Sequence, residues 1–115
     1  MSVTSSGFVD CYDHIVGFNE VDPYGIVHHS VYLEWAELGM RKVFLDAGLS
    51  DEYEVERISC KYIAPAHDKE EITVRTRMKD SIDASQGRIR FPFDIISGRR
   101  PLVKGEMIVR KEDIQ

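Results

Sequence analysis

The spacing of apolar positions along this chain changes once from strand-like to helical and then back again. From Phe8 to Val21, β-branched and aromatic residues (Phe8, Val9, Tyr12, Ile15, Val16, Phe18, Val21) predict a first strand, and Asp10, Asp13 and His14 interrupt its alternation. From about Ser30 to Ala47 the period is helical. Ser30, Glu34, Glu37 and Arg41 fall on one narrow stripe at i, i+4, i+7 and i+11, while Val31, Trp35, Leu38, Val43 and Phe44 fill much of the remaining surface. A helix apolar around most of its circumference is expected in the middle of its domain, and Gly48 is placed to close it. Four more strands follow: Glu54 to Ile63, Glu71 to Met78, Arg88 to Ile96 and Leu102 to Val109. Pro92 conflicts with a central place in its strand, because proline donates nothing to a ladder; a bulge or a locally open edge is required there.

One strand, one buried helix and four strands with short connections predict an α+β domain, an antiparallel five-stranded sheet wrapped around one long central helix. No repeat or linker composition interrupts the chain, so residues 1–115 are expected to form one domain, with Met1 to Gly7 as a frayed lead-in. A hydrophobic share of 43% with 30% charged residues excludes a disordered chain. No run of about 18 apolar residues offers a membrane span, and the first residues lack the basic start and apolar stretch of a secretory signal. Cys11 and Cys60 match no metal or redox spacing, and a cytoplasmic location is expected.

The net charge of −5 argues against general nucleic-acid binding, but the charge is unevenly spread. Residues 1–56 hold two basic residues against eleven acids, a net of −9; residues 57–115 hold thirteen against nine, a net of +4. The imbalance is either solvated surface or a basic face offered to a phosphorylated substrate, with Arg57, Lys61, Arg88 and Arg90 as the candidates.

The stretch from Asp22 to Trp35 carries the chemistry. Asp22-Pro23-Tyr24-Gly25 has type I turn composition, and Pro23 biases Asp22 toward an extended backbone. A helix start follows, where unpaired N–H groups and the positive dipole end can polarise a carbonyl oxygen. A carboxylate just upstream can serve as base or nucleophile on the same carbonyl. By itself, Asp22 is also accounted for as ordinary turn chemistry. His28 and His29 are neighbours that point to different sides of a helix, so with Asp22 as the one further ligand no metal site is expected. Glu37 and Arg41 are spaced for an i, i+4 ion pair. Tyr32 and Trp35 read as helix core.

Asp22-Pro-Tyr-Gly-Ile-Val27, the helix from Val27 to Trp35 and the passage from Cys60 to Val74 resemble the hotdog-fold acyl-CoA thioesterases of the 4-hydroxybenzoyl-CoA thioesterase group and its short-chain relatives. The resemblance implies hydrolysis of an acyl-CoA or acyl-carrier-protein thioester, with no cofactor and no metal. It assigns Asp22 as base or nucleophile, the His29 backbone N–H as oxyanion donor and the His29 side chain to proton handling or orientation, with Glu37 of the helix as the possible second acid. Tyr24, Gly25, Val27 and His28 become substrate-binding positions. It also implies a homodimer or homotetramer with sites at subunit interfaces. Two departures stand out: the segment between Gly48 and Tyr62 is short, and the hairpin Asp80 to Ser85 lacks the arginines some members carry there. A hotdog enoyl-thioester hydratase or dehydratase, or a non-catalytic acyl-thioester-binding protein, are the alternatives, since fold does not fix chemistry.

Overall fold

The computed structural model describes residues 8–77, 82–83 and 87–111; the lead-in, Met78 and most of the hairpin from Asp80 to Ser85 lie outside the described residues. The elements run β1 (Phe8–Ile15), a short 3-10 turn (Phe18–Glu20), α1 (His29–Asp46), β2 (Glu54–Tyr62), β3 (Glu71–Arg77), β4 (Ile82–Asp83), β5 (Arg88–Ser97) and β6 (Arg100–Arg110). The five long strands form one antiparallel sheet in the order β1-β3-β5-β6-β2, and the two-residue β4 pairs with β5. The helix lies against one face of it, which is the expected hotdog arrangement.

Alternation explains the strands. Ile89, Phe91, Phe93 and Ile95 of β5 are buried against Trp35, Met40, Val43 and Phe44 of the helix in one core cluster. Helix and sheet approach closely at Gly39, where a Cβ would lie 2.9 Å from Cys11 Sγ and 3.0 Å from Val74 Cγ1. Cys11 donates its thiol to the Val74 carbonyl at 3.3 Å, and burial pushes that thiol up to about 12. The helix ends in a Schellman arrangement: Leu49 N–H bonds to Phe44 O at 2.8 Å and Gly48 N–H to Leu45 O at 3.0 Å, with Gly48 at φ +77°.

Three expectations are revised. The first strand stops at Ile15 instead of reaching Val21, because Gly17 opens a 3-10 turn that Glu20 caps. The helix buries one face, not most of its circumference: Leu38 is 40% exposed and Leu45 is 60% exposed. The direct Glu37–Arg41 pair is replaced by a bridge, in which the Tyr53 hydroxyl donates to Glu37 and accepts from Arg41 Nε at 2.9 Å. Tyr53 reaches in because its ring packs edge-on against Phe44.

Pro92 has a physical account. Its register with Glu106 of β6 runs through without a shift, so there is no bulge at Pro92. On the other side, β3 pairs with Phe93 to Ile96 and β4 with Arg88 and Ile89, which puts Pro92 between two partner segments. Its missing donor faces that gap, and its carbonyl accepts the Thr76 hydroxyl.

Glu70 ties the turn before β3 to the β5–β6 turn. Burial pushes its carboxyl up, but bonds from Ser97, from Arg100 and from the His67 N–H outweigh this and hold it down at about 2. Because the folded value lies below the ordinary carboxylate value, its stabilisation is complete above about pH 5 and is lost as the pH falls toward the folded value. Thermal midpoints followed by circular dichroism between those limits should fall less steeply in Glu70→Gln than in the wild type. Equal slopes would remove Glu70 from the acid limb.

Candidate active site

A short hairpin carries the chain from the sheet to the helix. Glu20 O accepts the His28 N–H at 3.2 Å, Val21 bridges Val27, and Asp22 N–H bonds to Ile26 O at 2.9 Å. Asp22 therefore sits two rungs from His28, about 7 Å along the ladder at ordinary strand rise. The tip is closed by Gly25 N–H to Asp22 O at 2.9 Å, with Gly25 at φ +80°, a conformation that favours glycine.

Asp22 is half-buried, and its Oδ1 accepts the Tyr24 N–H at 2.8 Å and the Ile26 N–H at 3.3 Å. The turn role anticipated for it is thus present. Its Oδ2 makes no hydrogen bond among the described residues. Tyr24 is 89% exposed beside it, while Val27 is buried in the core and donates its N–H to Ala66 O at 3.0 Å.

His28 is the N-cap of α1, yet its side chain makes no capping bond, and no acid stands in the first turn. Ser, Thr, Asp or Asn is the ordinary occupant of this position. Within the described residues, the N–H groups of His29 and Ser30 meet no acceptor, so the positive end of the helix is open. His28 and His29 are both exposed. The His29 ring stacks on Tyr62 with centroids 4.1 Å apart and planes 10° apart, and the Tyr62 hydroxyl donates to His29 O at 3.2 Å. Burial first, then its contact with Cys60, raises Tyr62 to about 12. Tyr32 packs edge-on against both Tyr62 and Trp35, so aromatic rings floor the helix start.

Asp22, Tyr24, Gly25, His28 and His29 are brought together by this hairpin. Glu37 stands two helical turns along α1, occupied by Tyr53. Among the described residues no three His, Cys, Asp or Glu side chains converge as a metal ion would require.

Sequence reasoning missed the residue that organises this region. Glu20 Oε1 accepts His14 Nε2 at 2.7 Å and the Gly17 N–H at 2.8 Å, while Oε2 accepts Trp35 Nε1 at 3.0 Å. Tyr12 OH lies 3.2 Å from His14 Nδ1, extending the network along β1. A β-bulge between Asp10 and Tyr12 makes this possible. It shifts the parity of β1, so that Tyr12 and His14 pair with Val74 and Ile72 and turn to the helix side. The available signals were the polar break in alternation at His14 and the Gly17-x-x-Glu20 capping spacing.

Burial pushes the Glu20 carboxyl up, but the bonds from His14, Gly17 and Trp35 outweigh it and lower it overall. Trp35 is the single tryptophan of the chain, so its fluorescence reports Glu20 directly. In the pH range where far-ultraviolet circular dichroism is constant, its emission should shift at a pH below the ordinary glutamate range, about 4.3. Glu20→Gln should abolish that shift. An unchanged titration in the variant would break the link.

The sequence pattern of the thioesterase-like superfamily matches residues 16–110. No curated protein matches the chain. Solved structures of similar fold include the probable thioesterase of Bartonella henselae, 24% identical over 95% of each chain with a TM-score of 0.79. A 1,4-dihydroxy-2-naphthoyl-CoA thioesterase of Synechocystis is 17% identical over 90% of this chain and 81% of its own, with a TM-score of 0.78. A thioesterase of Thermus thermophilus, solved with coenzyme A and zinc, is 21% identical over 95% and 84%, with a TM-score of 0.76.

Proposed function

The chain belongs to the thioesterase-like superfamily and so to the thioester hydrolases, and from that premise we propose that it cleaves an acyl-CoA or acyl-carrier-protein thioester to the free acid. The observation that carries the reading is a helix start left without a side-chain cap, two rungs from a half-buried carboxylate on the same hairpin. The His29 N–H binds the thioester oxygen, where such a donor is typically worth ~10²–10³ in rate. Asp22 either draws a proton from water as that water adds to the carbonyl carbon, or adds to the carbon itself and is released by water. In both routes the carbon–sulfur bond breaks and the thiolate leaves to take up a proton. Tyr24, Gly25, Val27 and His28 form the rim or backbone of the substrate site, and His29 orients or relays a proton. No cofactor is invoked. Glu37 is left out, because Tyr53 and Arg41 already engage its end of the helix.

The active unit we propose is one domain in a cytoplasmic homo-oligomer. The two unpaired cysteines support the location, and no helix among the described residues is long and apolar enough to cross a membrane. For assembly, β2 is an edge strand of nine residues that is exposed along most of its length, with Ile58 39% and Tyr62 37% exposed. Natural proteins pair or protect such edges. A second copy paired there would abut the helix start, since Tyr62 stacks on His29. Light scattering near neutral pH should give at least twice the 13.2 kDa chain mass. A single monomeric species at micromolar concentration would end the shared-site reading.

Asp22→Asn keeps an oxygen for the Tyr24 and Ile26 N–H groups, so the turn should survive. We expect kcat on acyl-CoA to fall by ~10²–10⁴ with a smaller change in substrate binding. His29→Ala should cost less, because its N–H stays in place. Near-wild-type hydrolysis by folded Asp22→Asn would defeat the assignment and return attention to Glu37.

A further inference from the structure

The face of the sheet turned away from α1 carries a row of charged residues across four strands. Arg75 of β3 stands opposite Asp94 of β5, Asp94 opposite Lys104 of β6, and Lys104 opposite Lys61 of β2. Arg75 and Asp94 form an ion pair at 3.5 Å. The alternation of sign then fails, because Lys61 and Lys104 are direct cross-strand partners and like charges there are destabilising.

The acids beside them are already engaged, Asp94 by Arg75. Glu106, one row along, accepts Arg90 Nε at 2.7 Å and lies 4.0 Å from Arg57. Among the described residues neither lysine has an ion-pair partner. Between them the sheet is hollow: Ser59, Pro92 and Gly105 provide a low floor, and Lys61, Lys104 and the paired Arg90 and Glu106 stand around a concavity of about 510 Å³. A second hollow of about 190 Å³ adjoins it and shares Arg90 and Lys104. Arg57, Arg88 and Arg90 are matched to Glu106 and Glu56, so of the four basic candidates the unmatched one is Lys61.

We propose that this hollow is a phosphate-binding site. Two unmatched ammonium groups and the Ser59 hydroxyl line a floor low enough to admit a tetrahedral oxyanion, and a doubly charged anion would neutralise the lysine pair. A second copy of the same face is a poor occupant, because it would set lysines against lysines. The phosphate comes from a nucleotide-bearing thioester carrier or from free phosphate; the first source rests on the proposed thioesterase function, while the site itself does not.

The test is calorimetric titration of the wild type and of Lys61→Gln/Lys104→Gln with adenosine 3′,5′-bisphosphate and with inorganic phosphate. Substitution removes a repulsion, so the double variant should fold with an equal or higher thermal midpoint. We expect the wild type to bind and the variant to bind about tenfold more weakly, with the difference shrinking at high salt. A carrier source is indicated if the variant raises KM for a CoA thioester and leaves a truncated pantetheine thioester, which lacks these phosphates, unchanged. Equal affinity for inorganic phosphate and the nucleotide, with no KM effect, supports the site with free phosphate as its ligand. Binding of neither probe, or equal binding by wild type and variant, overturns the proposal. The titrations need no turnover, so an inactive protein would count against the thioesterase reading alone.

Discussion

A carboxylate largely removed from water must fill its lone pairs with donors, and Glu20, 18% exposed, fills them from three separate places in the fold. His14 brings β1, the Gly17 N–H brings the 3-10 turn, and Trp35 brings the second turn of the helix. Its own carbonyl then holds His28, the residue that begins the helix. The direction in which α1 leaves the hairpin is thereby set by contacts outside α1. That matters because the helix start lacks the side-chain cap whose absence typically costs about 1 kcal/mol. Support from Glu20 and from Tyr62 allows the first N–H groups to stay unused by the protein.

What could be read from the sequence followed local periodicity, and what could not depended on a single inserted residue or a distant partner. The helix, the four later strands and the conflict at Pro92 are all local statements, and the sheet order agrees with them. The bulge after Asp10 is one extra residue, and it inverts the facing of everything beyond it in β1. Alternation read straight through that point necessarily misassigns Tyr12 and His14. Glu20 was hidden because its side-chain partners lie 6 and 15 positions away, and no spacing rule links those. The Glu37–Arg41 spacing was read correctly but overridden by Tyr53, a tertiary neighbour. Leu38 and Leu45 are a different case. Their pattern reads as burial, but they lie off the face that meets the sheet and stay open.

The sheet also separates two kinds of chemistry that the charge count mixes together. The hairpin, the helix start and the aromatic floor lie on the helix side, reached through Cys60 and Tyr62 of β2. Lys61, the residue between them, points the other way, since successive strand residues face opposite sides. The basic excess of the second half is therefore not spread over the site. Six of its arginines are matched to Glu56, Glu70, Asp94 and Glu106, while Lys61 and Lys104 stand side by side in one row on the opposite face.

Turn chemistry and catalysis at Asp22 are not competing explanations once its two oxygens are considered separately. Oδ1 is consumed by the turn, accepting the N–H groups of Tyr24 and Ile26. Those bonds fix the carboxylate plane and so fix where Oδ2 can point, which is the positioning that a reacting group needs. A longer acid or a freely rotating one would lose that constraint. The left-handed Gly25 closes the turn that makes both bonds possible, and Pro23 restricts the backbone on the other side of Asp22. The commonplace reason for an aspartate at this position thus also holds its carboxylate in one orientation on the hairpin that leads into the helix.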